Sequence, residues 1–171
     1  MDAVNTAAES YVLWQWAANG AGTLNEVGSI DSTVSANTDA GFSVVKYTGT
    51  GSAATVGHGL STAPSVVINK PLGSGSTDPN WQVYHIGVGP TKAIFLNLDI
   101  APATGSGYWN NTAPTSTVFS IGTDRDSATD YINYCFAEVE GYSKFGTYTG
   151  NNSSDGPVTV SYTHLTLPTI L

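Results

Sequence analysis

The segment Val56-Gly-His-Gly-Leu60 is the most recognisable local pattern in this chain. An imidazole between two glycines can act as a metal ligand or a general base, because its unperturbed pKa lies near about 6.5. No second His, Cys or carboxylate stands at ligand spacing from His58. The corner therefore reads first as a hydrogen-bonded histidine at a turn, with a ligand or base role as the alternative. Glycine tolerates φ > 0 and close backbone approach, which suits a strand, a corner and a return strand after Ala63-Pro64.

Asp124, Asp126 and Asp130 crowd one short segment before an apolar run. Hard carboxylate oxygens on a loop can hold Ca²⁺, so these three are the candidate metal ligands. The spacing lacks the glycine and the bidentate Glu of an EF-hand loop, and Arg125 sits among the acids; a solvated turn is the other reading. Trp81, Tyr84, Tyr108 and Trp109 are candidate glycan-binding residues, since aromatic rings stack on the apolar faces of sugars. The same rings serve equally as core and loop anchors. Asn110, Asn151 and Asn152 fit the glycosylation pattern but read better as turn asparagines.

Catalysis needs a nucleophile, a base and an orienting group held together. The chain has no Gly-x-Ser-x-Gly elbow, no phosphate-binding loop and no metal-spaced histidine pair. The single cysteine, Cys135, excludes an intrachain disulfide and a thiolate metal cluster. Within Tyr131-Ile-Asn-Tyr-Cys-Phe136 it reads as a small buried hydrophobe, with a reactive thiol as the alternative. A non-enzymatic protein is the expectation.

The elements that would position these residues are strands. Of the 171 residues only 11% are charged, while Gly, Ser, Thr and Asn are abundant. That balance keeps β surfaces soluble without helix-favouring charged residues. Short β-branched and aromatic runs occupy Phe42–Tyr47, Thr55–His58, Ser65–Asn69, Trp81–Ile86, Lys92–Leu98, Thr117–Ile121 and Tyr131–Val139. Gly, Pro, Asn and Ser separate them, which predicts an all-β fold: an antiparallel sandwich of jelly-roll or lectin-like kind. Tyr131–Val139 is apolar on both alternate faces, as a strand central to two layers requires. Residues 104–114 read as a long loop anchored by Trp109.

The net charge is −8, and the five basic residues are scattered singly. Direct nucleic-acid binding is therefore not expected. No apolar run reaches the ~20 residues that span a bilayer, and the first residues have neither the basic start nor the apolar stretch of a signal peptide.

Gly41-Phe-Ser-Val-Val-Lys-Tyr-Thr-Gly49 is echoed by Gly141-Tyr-Ser-Lys-Phe-Gly-Thr-Tyr-Thr-Gly150, and Tyr11–Trp16 more loosely by Tyr131–Phe136. The echo suggests tandem units. On that reading residues 1–17 end a preceding repeat, 18–40 form a linker, 41–140 a complete sandwich, and 141–159 open the next repeat. Residues 160–171 depart in texture: Val160-Ser-Tyr-Thr-His-Leu-Thr-Leu-Pro-Thr169 resembles a translated sequencing adapter, so this tail is set apart as non-native.

Several blocks stand in an order that is similar to one group of uncharacterised domains. They are Gly41–Gly49, Val56–Leu60 with Ala63-Pro64, Trp81-Gln-Val-Tyr-His85, Trp109–Ser116 with Val118-Phe-Ser, and Tyr134–Gly146. Those domains occur in tail-fibre and other structural proteins of marine and environmental bacteriophages. The resemblance covers nearly all of residues 1–157 and brings no agreed catalytic residues. It implies a structural or receptor-facing module of a virion protein, made in the host cytoplasm. Its partners would be other virion proteins, host surface glycans and copies of itself in a homotrimer. A carbohydrate-binding module is the alternative, and a tail-associated glycan hydrolase a third reading. No cofactor is expected beyond calcium at the Asp124 segment.

Overall fold

The computed structural model describes residues 10–73, 76–125 and 128–156. Its elements are β1 (Thr23–Asn25), β2 (Ser32–Asn37), β3 (Phe42–Thr48), β4 (Ala54–Gly57), β5 (Val66–Pro71) and β6 (Gln82–His85). Then come β7 (Lys92–Phe95), β8 (Ala103–Thr104), one helical turn α1 (Ser106–Trp109), β9 (Val118–Ile121) and β10 (Asp130–Phe136). Eight strands form one antiparallel sheet in the order β1-β2-β3-β10-β5-β6-β7-β8, and β4 with β9 form the second layer. The result is an all-β antiparallel sandwich.

Period-2 alternation decides which side chains enter the space between the layers. β3 turns Ser43, Val45 and Tyr47 inward, β10 turns Tyr131, Asn133 and Cys135 inward, and β5 contributes Val67 and Asn69. Opposite them stand Val56, Phe119 and Ile121 of the small sheet, all fully buried. Tyr47 stacks on Tyr131 at 5.2 Å and meets Phe119 edge-on at 6.4 Å, so aromatic contact ties the layers together. β10 occupies the centre, paired with β3 on one side and β5 on the other. Its inward residues Tyr131, Asn133 and Cys135 are buried under the second layer, while Ile132, Tyr134 and Phe136 on the other side are half-buried. The strand is thus central to the sheet and is not enclosed between two layers. Each predicted run in the interval 41–140 overlaps a strand.

Residues 18–40 are not a linker. They carry β1 and β2, and β2 pairs along β3 from Ser32↔Tyr47 to Asn37↔Phe42. Small hydroxyl and amide side chains make this stretch look like a connector, yet Val34 and Ser32 are buried against the core. The two segments expected to belong to flanking repeats are not strands among the described residues. Tyr11–Trp16 forms no strand, whereas its sequence echo is the central β10; Trp16 instead packs on Phe42 at 6.2 Å and on Phe136 at 5.5 Å. Residues 141–156 have only an isolated bridge, Val139↔Ser143, where the echoed segment is β3. Phe145 packs on Phe136 at 6.1 Å, so this stretch belongs to the same body. The adapter-like tail lies outside the described residues.

Candidate functional site

The outward side chains of the central strands line up in cross-strand rows fixed by the register. One row runs Phe42–Phe136–Val66, the next Val44–Tyr134–Ile68, and the third Lys46–Ile132–Lys70. Val83 continues the second row on β6, and Trp81 precedes that strand. Against this face lies the extended segment 10–18, whose Trp14 is 75% and Trp16 53% exposed. Together they enclose a groove of about 530 Å³, with Trp14, Trp16, Trp81, Tyr134, Phe136 and Gln15 among its walls. Trp14 and Trp16 meet at 80° with centroids 6.4 Å apart, forming a right-angled corner.

The two lysines at the far end of this face are engaged. Lys46 pairs with Asp130 at 2.7 Å. Lys70 donates to the carbonyls of Pro71 at 3.2 Å and Pro79 at 2.9 Å, and its ammonium stands 5.9 Å from the Trp81 ring centre.

The inward face of the same strands is unusually polar. Arg125, only 1% exposed, reaches into the core from the loop after β9. It donates to Asn69 Oδ1 at 2.7 Å and to Gln82 Oε1, and its guanidinium lies 5.3 Å from the Tyr131 ring centre. Gln82 in turn donates to the Asp78 carboxylate. Asn69 donates to Tyr47 Oη at 3.1 Å and to Asn133 Oδ1 at 2.7 Å, and Asn133 donates to the Val45 carbonyl at 3.3 Å. Burial raises the Tyr47 phenol well above its ordinary range, although the Arg125 charge and the Asn69 amide pull the other way. This network joins β3, β5, β6, β10 and a loop; Arg125, Asn69, Gln82 and Asn133 within it are buried, and it reaches half-buried Asp78 at its margin.

His58 is equally enclosed. The Leu60 amide donates to Nδ1 at 3.1 Å, which places the ring proton on Nε2, where it is donated to the Thr115 carbonyl at 3.2 Å. Burial lowers the His58 pKa, with the Thr115 bond opposing. Both ring nitrogens are occupied, so the imidazole is a corner brace between the loops beside β4 and β9. Gly59 adopts φ +71°, and a Cβ there would come within 2.7 Å of Val34 Cγ1, so the residue must be glycine. Cys135 is buried, and burial pushes its thiol up to about 12.

The aromatic candidates separate. Trp81 lines the outer groove. Tyr84 and Trp109 are core, packed edge-to-face at 6.0 Å. Tyr108 is half-buried against Phe95 at 5.9 Å. The four do not form one face, because Trp81 and Tyr84 are an odd number of residues apart along an extended chain and point to opposite sides. Among the acidic candidates, Asp130 is held by Lys46 and by the Thr48 hydroxyl at 2.6 Å, which lowers its pKa. Asp124 turns back on α1 through its amide to the Gly107 carbonyl at 3.0 Å. Asp126 lies outside the described residues, and among those described no group of His, Cys, Asp or Glu is placed to hold a metal ion. No helix among the described residues is long and apolar enough to cross a membrane.

Sequence reasoning missed Trp14, Trp16, Tyr134 and Phe136 as one surface. The available signal was parity: Phe136 and Tyr134 share the side of β10 that Cys135 does not.

The family model described as "Domain of unknown function (DUF7483)" matches residues 1–163, and the chain belongs to that family. The match spans the expected linker and both expected flanking repeats, and it runs into the adapter-like segment as far as Thr163. Neither a search of curated proteins nor a search of solved structures finds a match.

Proposed function

We propose that this member of the DUF7483 family is a non-catalytic structural or receptor-facing module of a phage tail or fibre. The outer face carries the reading. A sheet face lined with Phe42, Tyr134 and Phe136 lies beside an exposed aromatic segment, in a chain whose His58 and Cys135 are enclosed. Contiguous exposed apolar surface marks a site of association, whereas catalysis needs reactive groups that reach a substrate. The likeness of Tyr134–Gly146 and the blocks before it to phage structural domains supplies the virion setting.

Immunogold labelling of particles of the virus that encodes this chain tests the proposal. Label confined to tails or fibres is the expected result; unlabelled particles, with the protein recovered only from the soluble lysate, would overturn it.

A second reading, a carbohydrate-binding module for host surface glycans, is favoured by one observation. Trp81, Trp14 and Trp16 share a groove with the hydrogen-bonding side chains of Gln15 and Tyr134. Aromatic walls with a few placed polar groups are the usual make-up of small-ligand sites.

A further inference from the structure

We infer that the outer-face groove is a subsite for an uncharged saccharide, with Trp14, Trp16 and Trp81 as its stacking surfaces. The inference rests on the carbohydrate-binding reading and is independent of the virion one. It begins from the composition of the walls. Trp14, Gln15 and Trp16 contribute from the segment, and Trp81, Tyr134 and Phe136 from the sheet face; no lining residue is charged.

A hexose presents apolar C–H faces and a rim of neutral hydroxyls. The Trp14–Trp16 corner gives one ring plane as floor and another as wall, and the Gln15 amide and Tyr134 hydroxyl can meet the rim. Trp16 rests on Phe42 and Phe136, so the wall is held in place before a ligand arrives.

Charge selects among occupants. The chain carries −8, and an acidic glycan or a second copy would approach against that charge. The cations nearest the groove are already committed, Lys46 to Asp130 and Lys70 to two carbonyls and the Trp81 ring. An uncharged saccharide meets neither repulsion nor the cost of stripping a charge of water.

The test uses the full chain and titrates maltoheptaose, cellohexaose and mannohexaose as neutral probes, with oligogalacturonate as the acidic one. Three of the four tryptophans lie in the groove and Trp109 is buried, so intrinsic fluorescence reports occupancy. At least one neutral probe should shift the emission. Trp14→Ala and Trp81→Ala should each weaken that binding by roughly two- to tenfold, the scale of one lost stacking contact. Tyr142→Ala, exposed on the 141–156 segment, should leave it unchanged, and circular dichroism should show all variants folded.

Neutral-probe binding that survives both groove substitutions would dismiss this site while leaving the carbohydrate reading intact. Binding of oligogalacturonate alone, lost in Lys70→Gln, would overturn the assignment of an uncharged ligand. A chain dimer that Trp14→Ala dissolves would reassign the groove to self-association. A null result with every probe would remove the inference and the carbohydrate reading together.

Discussion

The two faces of β3, β10 and β5 differ in how their side chains are used. The side turned to the core holds Asn69 and Asn133 and receives, from the loop after β9, a buried Arg125. The side turned outward holds Phe42, Phe136, Tyr134 and Ile68. The inner polar groups bond to one another and gain a fixed geometry, because only one register lets Asn69 reach both Tyr47 and Asn133. On the outer side Phe42 is buried beneath Trp16, while Phe136 and Tyr134 stay half-buried beside the exposed Trp14. The inner face is fixed by bonds within the chain; the outer one carries the exposed rings of Trp14 and Trp16.

That contrast can be broken most forcefully at its centre. We predict that Arg125→Met lowers unfolding free energy by about 1–3 kcal/mol in urea titrations, because the buried Asn69 and Gln82 oxygens lose their donor. Replacing Asn69, Gln82 and Arg125 together with apolar residues should recover part of that loss. If the single variant is as stable as the parent, the polar core is incidental.

A smaller effect is expected at His58. Its folded pKa is depressed below about 6.5, so the unfolded chain takes up the proton first as pH falls. Stability should be full above that value and decline below it towards the folded pKa. Part of that decline should vanish in His58→Gln. A urea midpoint with the same acid slope in both proteins would show that folding does not depress the His58 pKa.

The smallest effect should come from the outer face. Trp14→Ala should alter unfolding free energy by no more than about 0.5 kcal/mol, since the ring is mostly exposed. A loss of several kcal/mol would mean that Trp14 belongs to the core economy of the fold and is not held ready for a partner.

Much of the sandwich was legible in the sequence. Val, Ile, Phe and Tyr runs broken by Gly and Pro marked β3, β4, β5, β6, β7, β9 and β10, and the two-sided apolar run of β10 marked the centre. β1, β2 and β8 escaped because they lie towards the edges of the sheet and are short or built of Ser, Thr, Ala and Asn. Strands like these are held by partner strands more than by their own side chains. The site was less legible. Parity along the strand could have parted Trp81 from Tyr84, but nothing local announces that Arg125, set between two acids in sequence, turns inward to an amide cluster. The echo of Gly41–Gly49 in Gly141–Gly150 does not extend to structure among the described residues: like residues take β structure only where a neighbouring strand is present to receive them.

The position of β10 has a bearing on how this protein comes off the ribosome. β3 and β5 are made early but flank a slot that only the last strand can fill, and the two halves of that slot pair with residues translated some 60 to 90 positions later, as Lys70↔Ile132 and Val45↔Asn133 illustrate. Until Phe136 has cleared the exit tunnel, both strands wait with open backbone edges, the condition under which nascent β proteins recruit chaperones or one another. Closure over such long spans is intrinsically slow. Nascent chains arrested before β10 should therefore be protease-sensitive throughout.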